Sequence, residues 1–475
     1  MTAQPITLVW FRRDLRLFDN TALQTAIRRG LPVAGVFVFA PAEEAALARN
    51  GRRSGFIYDS VAAFQAALSA KNVPLYVLHG RAENEIPQLA ATLAAEAVVC
   101  AESYEPQGRE ETNAVSRALD RSGRALVQID DSAVLPKAAV MTHTGRPYLV
   151  YTPYKTAWLQ TYAQRFGTWA PADNWPELAA LQARLPESAR RAPPLPDPAA
   201  LGIGPNDRST LFAGGEEAAQ AQLGRFLGHI DRYRLERDFP AKSGTSRLSP
   251  YIAHGMLSPR HLVYLVRQHD GEGASAWLDE LIWREFFQQA LYHHPNAAQE
   301  SFRPEYRNLA WPGKAEWFER WKNGQTGYPI IDAAMRCLAS SGWLHNRLRM
   351  LAAGFLVKDL LTDPRLGEAW FAEQLIDYDL AANNGGWQWA AGTGCDAQPY
   401  FRIFNPVLQS QKFDPDGRFI RRHVPELAHL GKDVIHAPWL AKESIRTHGY
   451  PPPIVNHGEQ RLRALALFKQ PEKTV

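Results

Sequence analysis

Cysteine is scarce in this chain: three in 475 residues, Cys100, Cys337 and Cys395, with no CxxC spacing among them. That pattern excludes a disulfide framework and a cysteine-based zinc site, and no metal is expected. It fits a reducing compartment, so a cytoplasmic location is expected. Long apolar runs are missing as well, and nothing approaches the ~20 residues that a membrane-spanning helix needs. The opening residues lack the basic, apolar and cleavage-site order of a secretory signal, so none is expected. Charge is nearly balanced, 53 basic against 49 acidic residues for a net +4. Such a balance permits a local nucleic-acid-binding patch without arguing for one. Internal repeats and heptad runs are absent too.

What is there divides into two patterns. Residues 6–11, 33–40, 73–78, 97–101 and 125–129 read as short buried strands. Helical periodicity fills the gaps at 21–29, 55–70, 85–96 and 112–121. Alternating strands and helices build a parallel sheet covered on both faces, a doubly wound α/β domain. The first strand leads into Arg12-Arg13-Asp14-Leu15-Arg16, with no GxGxxG, so the ordinary dinucleotide fingerprint is missing. Residues 185–200 hold five prolines and read as an exposed, extended linker. From Asn206 onward the pattern is helical, clearest at 216–233, 276–293, 330–340, 344–361 and 368–376. The expected organisation is an α/β domain over 1–131, a linker over 132–205 and an all-α domain over 206–475.

Chemistry-bearing clusters lie in the helical part. Thr245-Ser246-Arg247-Leu248-Ser249-Pro250 offers hydroxyls, an arginine and backbone N–H groups ahead of a helical segment. It suits a pyrophosphate, although a simple helix cap explains the same residues. Trp277, Glu280 and Arg284 fall at i, i+3 and i+7 and share a helix face, with Trp283 beside Glu280. An aromatic plate next to a carboxylate can stack on a base and bond its edge; an interfacial tryptophan with a Glu–Arg pair is the plainer reading. Ten of the fourteen tryptophans follow residue 276, which a large helical core largely explains. The run 377–389 combines two aspartates, two asparagines, two glycines and two tryptophans, and reads as poor helix and poor loop. EF-hand spacing is missing from it. It does supply the donors, acceptors, apolar face and charge that an isoalloxazine ring requires.

Taken together these motifs resemble the DNA photolyase/cryptochrome family, most closely bacterial class I cyclobutane-dimer photolyases. The resemblance runs from the opening LVWFRRDLRL through TSRLSP, ELIWRE, TGYPIIDAAMR, GWLHNRLRM and DLAANNGGWQWAAGTG to PYFRIFNP. It implies FAD held wholly in the helical domain, against Tyr233, Thr245, Ser246, Arg247, Leu248, Ser249, Trp277, Glu280, Arg284, Asn346, Arg349, Asp377, Asp379 and Asn383. Arg349 and Asp377 would pair beside the ring and Asn383 would face N5. A flipped-out pyrimidine dimer would sit among Trp283, Trp389 and Met350, its polar edges on Glu280 and Asn346. Arg237, Arg347, Arg402 and Gln409 would meet phosphates of UV-damaged DNA. The implied reaction is light-driven electron transfer from excited reduced FAD to the dimer and back.

The resemblance also implies a three-tryptophan relay to the oxidised flavin. Its inner and outer members match Trp387 and Trp311, but the middle position is Pro364, so photoreduction of oxidised FAD is expected to be slow or re-routed through Trp370, Trp343 or a tyrosine. A folate is the expected antenna, with a deazaflavin or no antenna as alternatives. Folate-binding members carry Asn-Glu where this chain has Gln107-Gly108, and a Cys-Lys pair that 295–300 lacks; Glu105-Pro106 and Gly108-Arg109 match the deazaflavin pattern in part. The chain is expected to act as a monomer without a protein partner. Rival readings are a signalling cryptochrome, a (6-4) photolyase and a nucleic-acid-binding flavoprotein without photochemistry. Asn383 and the dimer pocket count against the first. The second would carry a pocket histidine where Asn346 stands.

Overall fold

A computed structural model describes residues 4–41, 51–171, 175–205, 207, 211–442 and 447–469. Asn206, where the helical part is expected to begin, lies outside them. Within the described residues the chain forms two compact units. The first is drawn from Met1–Tyr148, Thr152–Ile230 and Ser246–Pro295, the second from Leu149–Tyr151, Asp231–Thr245 and Asn296–Val475. This spatial division does not coincide with a sequence boundary at 205/206, because helices from 246 to 295 pack into the first unit.

In the first unit, β1 Ile6–Trp10, β2 Val33–Phe39, β3 Leu75–His79, β4 Ala95–Ala101 and β5 Ala125–Ile129 form one parallel sheet of order β3-β2-β1-β4-β5. Leu8 pairs with Ala34 on one side and Val98 on the other. Every residue of β1 is buried, as a strand covered on both faces should be. Around the sheet run α1 Thr21–Arg28, α2 Gly51–Ser69, α3 Ala82–Thr92 and α4 Pro106–Asp120. The expected helix at 85–96 therefore starts and stops earlier, since Ala95 and Glu96 already belong to β4.

The segment 132–205 is more structured than a linker. It contains α5 Tyr151–Phe166 (all but its first residue in this unit) and α6 Trp175–Gln182. Gln182 accepts from Val33 N at 2.8 Å and donates to Val33 O at 2.9 Å, stitching α6 to the start of β2. Leu185 and Ala189 are buried in the sheet's core, so the proline-rich stretch is not exposed throughout. Its prolines stop regular structure; its apolar residues still find a core. The unit closes with α7 Glu216–Leu227, α9 Ser249–Ala253, α10 Pro259–Val266 and α11 Glu272–His293. The 216–233 periodicity breaks after Leu227, and α8 Tyr233–Glu236 belongs to the second unit.

The second unit is helical: α12 Ala315–Lys322, α13 Pro329–Ser341, α14 Asn346–Lys358, α15 Pro364–Gln374, α16 Leu380–Ala391, α17 Pro406–Phe413, α18 Arg418–His423 and α19 His457–Lys469 follow α8. One apolar core that includes Trp321, Leu356, Phe371 and Trp387 joins α12 to α16 with α18 and α19. The run 377–389 corrects its sequence reading, because 380–391 is a helix. Asp379 caps it, accepting from Ala382 N at 2.9 Å, and Gly392 ends it in the left-handed region at φ 84°. Its asparagines cost little helix stability because their amides bond sideways to neighbouring elements rather than competing for the helix backbone.

Candidate functional site

The RRDLR motif after β1 is largely structural. Arg16 Nη2 lies 2.5 Å from Asp131 Oδ2, and Arg260 Nη2 lies 2.7 Å from Asp131 Oδ1, all buried. Burial pushes the Asp131 carboxyl up, but the two guanidiniums hold it below the usual range. Arg12 donates to Thr112 Oγ1 at 2.7 Å and lies 4.2 Å over the Trp10 ring. These side chains fix the loop at the carboxyl end of the sheet.

In the first unit α11 carries Trp277, Glu280, Trp283 and Arg284, as the spacing implies. Trp277 is buried against Phe226, ring centroids 4.9 Å apart. Trp283 is half-buried and touches Phe286 edge-on at 5.6 Å and Phe287 at 5.4 Å, which steadies the ring. Arg284 Nη1 donates to Ser132 O at 3.0 Å. The residue that anchors this helix, Glu285, was not singled out from sequence. Its carboxylate accepts from Val134 N at 2.7 Å, Leu135 N at 3.2 Å and Trp158 Nε1 at 2.7 Å. Burial lifts its pKa to about 7 against the pull of those N–H donors. No sequence signal marks it, because its partners lie more than a hundred residues away.

Ser246, Arg247, Leu248 and Ser249 also belong to this unit, whereas Thr245 belongs to the second. Arg247 sits at φ 53°, and Leu248 N donates to Ser246 Oγ at 3.4 Å. No side chain caps α9, so the cap explanation of this motif does not hold. With five residues α9 has little macrodipole, and an anion here would rely on the local donors instead.

In the second unit α14 begins after His345, whose Nδ1 accepts from Arg347 N at 3.1 Å. Burial drops the His345 pKa to about 4, which keeps the ring neutral. Asn346, Arg349 and Met350 share one face of α14, Asn346 exposed and the other two half-buried. Arg349 donates to Asp377 Oδ2 at 2.7 Å and to Leu344 O at 2.8 Å. The other carboxylate oxygen, Asp377 Oδ1, is buried and has no protein partner. A buried acceptor left open calls for a donor from a ligand.

On α16, Asn383 donates its amide nitrogen to Glu368 O at 3.1 Å, which leaves its carbonyl oxygen available as an acceptor. Asn384 donates to Glu368 Oε1 at 3.0 Å and to Ala297 O at 2.9 Å. Gln388 also donates to Ala297 O at 2.9 Å and accepts from Phe302 N at 2.7 Å. Glu368, Asn384 and Gln388 thus hold the polar face of α16, and the sequence reading gave none of them an individual role. Burial lifts the Glu368 pKa to about 7, with the Asn384 bond opposing. Trp387 is buried and Trp389 half-buried on the same helix. Asp379, expected at the cofactor, spends one oxygen on the cap.

Tyr233 is buried beneath Arg237, whose guanidinium lies 5.3 Å from the ring centre. Arg347 is partly committed: it pairs with Asp238 Oδ1 at 2.8 Å and lies 4.3 Å over Phe413. Arg402 is exposed and Gln409 half-buried on α17. Trp311 packs edge-on against Phe468 at 5.8 Å.

An orphaned carboxylate oxygen, an oriented amide and flanking tryptophans fit a flavin, and comparison with known proteins decides the family. Residues 277–470 match the FAD binding domain of DNA photolyase, and residues 7–177 match DNA photolyase. The chain belongs to the DNA photolyase family. A relative from Vibrio cholerae, deoxyribodipyrimidine photo-lyase, is 42% identical over 476 residues, 97% of this chain and 99% of that protein. The structure of a bacterial class III photolyase from Agrobacterium tumefaciens superposes with TM-score 0.88 at 34% identity, covering 100% of this chain and 99% of that one. A cryptochrome structure from Synechocystis follows with TM-score 0.85 at 28% identity, covering 98% and 100%. Fold alone therefore does not separate photolyases from cryptochromes. FAD is the cofactor of the family's FAD binding domain, matched here over residues 277–470. Among the described residues no helix is long and apolar enough to cross a membrane.

Proposed function

We propose that this protein uses blue light to split cyclobutane pyrimidine dimers in DNA. The observation that carries the reading is the open acceptor Asp377 Oδ1 beside the Arg349 pair, together with Asn383 turned by Glu368, within a chain alike over nearly its full length to deoxyribodipyrimidine photo-lyases. FAD, when bound in its reduced form and excited, supplies the electron that opens the cyclobutane ring and takes it back. The protein's residues do the rest. Arg349 and Asp377 hold the ring's polar edge with matched charge. The Asn383 carbonyl oxygen, turned by the bond to Glu368 O, would accept from N5 of the flavin and so favour the reduced state. Tyr233, Thr245, Ser246, Arg247, Leu248, Ser249, Trp277, Glu280, Arg284, Asn346 and Asp379 contact the remainder of the dinucleotide.

Trp283, Trp389 and Met350 wall the lesion, and Glu280 and Asn346 bond its edges. Flipping a damaged pair costs only a few kcal/mol, so the lesion helps to select its own site. Arg237, Arg347, Arg402 and Gln409 meet phosphates. The protein works as a monomer in the cytoplasm, with a folate as antenna. The test is an oligonucleotide with one cyclobutane thymine dimer, given holoprotein with reduced FAD in blue light and in the dark. Conversion to two thymines in light alone supports the reading; no conversion with FAD bound contradicts it.

A further inference from the structure

Position 364 is where an electron relay to Trp387 would need an aromatic ring. A Cβ on Gly367 would meet the Trp387 ring at 2.1 Å, so α15 packs directly on that indole. Residue 364 lies one turn earlier on the same face of α15. It is a buried proline, without a π system. The indole edge of Trp387 instead meets Trp321 on α12, ring centroids 6.1 Å apart at 72°. Phe371 joins the two, 5.0 Å from Trp387 and stacked 5.9 Å from Trp321. Trp321 is fully buried, with its Nε1 donating to Ala352 O at 3.1 Å, so its ring is rigid.

A route outward exists on the same side. Phe318 stacks on Trp321 at 5.9 Å. One ammonium, Lys322 Nζ, lies 5.1 Å from the Phe318 ring and 5.0 Å from the Trp370 ring. Its charge is matched by Glu319 at 2.7 Å, which removes most of its penalty on a positive hole nearby. Trp370 is half-buried and reaches solvent. On the other side Trp311 contacts Phe468, over which the buried Lys358 ammonium sits at 3.3 Å. Lys358 bonds Ala391 O and has no carboxylate partner among the described residues; burial lowers its pKa to about 7, and in its charged form it disfavours a hole on that branch.

We propose that Trp321 takes the second place in the electron supply to Trp387, with Trp370 as the exit; this rests on the flavin reading above. Trp387 gives one electron to light-excited oxidised FAD. Trp321 refills Trp387, and Trp370 refills Trp321. Trp370, on oxidation, loses its indole proton to water; a soluble thiol then gives it one electron and one proton and is left as a thiyl radical. The net change is one electron moved from thiol to flavin and one thiol proton released to water.

The test is time-resolved absorption of the FAD-loaded protein, reading the tryptophan radical directly, with FAD occupancy and repair by chemically pre-reduced protein as separate measurements. Trp321→Phe should cut the yield of the long-lived tryptophan radical about ten-fold or more while occupancy and repair stay near parental. Adding Pro364→Trp to that variant should restore the yield. Trp370→Phe should leave the first radical signal intact and shorten its lifetime. Parental radical kinetics in either single variant overturn the route. If Trp321→Phe fails to fold, the lifetime in Trp370→Phe decides alone. A parent that binds FAD but does not repair overturns the functional reading and leaves these radical measurements standing.

Discussion

Arg349 and Asp377 form an asymmetric pair: the arginine saturates one carboxylate oxygen at 2.7 Å, and the other oxygen stays buried and unpartnered. Arginine side chains that only stabilise a fold usually satisfy both oxygens or leave the second in water. Here the second oxygen awaits a donor. Asp377→Asn keeps the shape but removes the charge and offers Arg349 a weaker acceptor. FAD affinity should fall about ten- to a hundred-fold, equivalent to about 1–3 kcal/mol. Equilibrium flavin release, followed by fluorescence, measures it; an unchanged affinity would place the flavin elsewhere.

Glu285 supplies a pH signature. Its pKa rises from 4.5 to about 7 on folding, so the folded state holds more protons than the unfolded state between those values. Its contribution to stability is present below the unfolded value and is lost as pH rises through about 7. Glu285→Gln puts an NH₂ against N–H donors and should cost about 1–3 kcal/mol. The part of the pH dependence due to this group should vanish with it. Denaturant midpoints of parent and variant at pH values across that window give both quantities, and equal slopes would remove Glu285 as the source.

Asn383 is turned by its bond to Glu368 O, so its acceptor faces away from α15. Asn383→Asp places a negative charge at that point. FAD should remain bound, while reoxidation in air after photoreduction should change measurably in rate and in the spectrum of the species that accumulates. A variant identical to the parent in both would unseat the residue from N5.

Trp283 is half-buried and steadied by Phe286 and Phe287. Trp283→Ala should weaken binding to dimer-containing DNA by ~1–3 kcal/mol, the worth of one stacking platform, and spare undamaged DNA. Neutralising about four phosphates should give a slope of roughly −3 to −4 in log K against log[salt]. Since Arg347 already pairs with Asp238, Arg347→Ala should flatten that slope less than Arg402→Ala. Equal loss on damaged and undamaged DNA would make Trp283 a packing residue.

Periodic burial made the sheet and the main helices legible, because strands buried on both faces and amphipathic helices write their contacts locally. The helix at 380–391 was not legible: its stability comes from the Asp379 cap and from amide bonds to Glu368 and Ala297, and those partners have no local signature. Glu285 escaped for the same reason. The proline-rich stretch misled because local composition cannot say that Leu185 and Ala189 reach a core. The proposed flavin and lesion residues rest on motif order; only the geometry exposed the open oxygen of Asp377 and the contact between Trp321 and Trp387.

The central claim is the proposal that this protein repairs a cyclobutane dimer, with Asn346, near the paired Arg349 on α14, meeting the lesion. Single-turnover repair of two otherwise identical oligonucleotides, one with a cyclobutane thymine dimer and one with a (6-4) photoproduct, tests it under the same blue light with FAD reduced beforehand. The account predicts restoration of the first and none of the second. Repair of the (6-4) lesion, or of neither with flavin reduced and DNA bound, would contradict it.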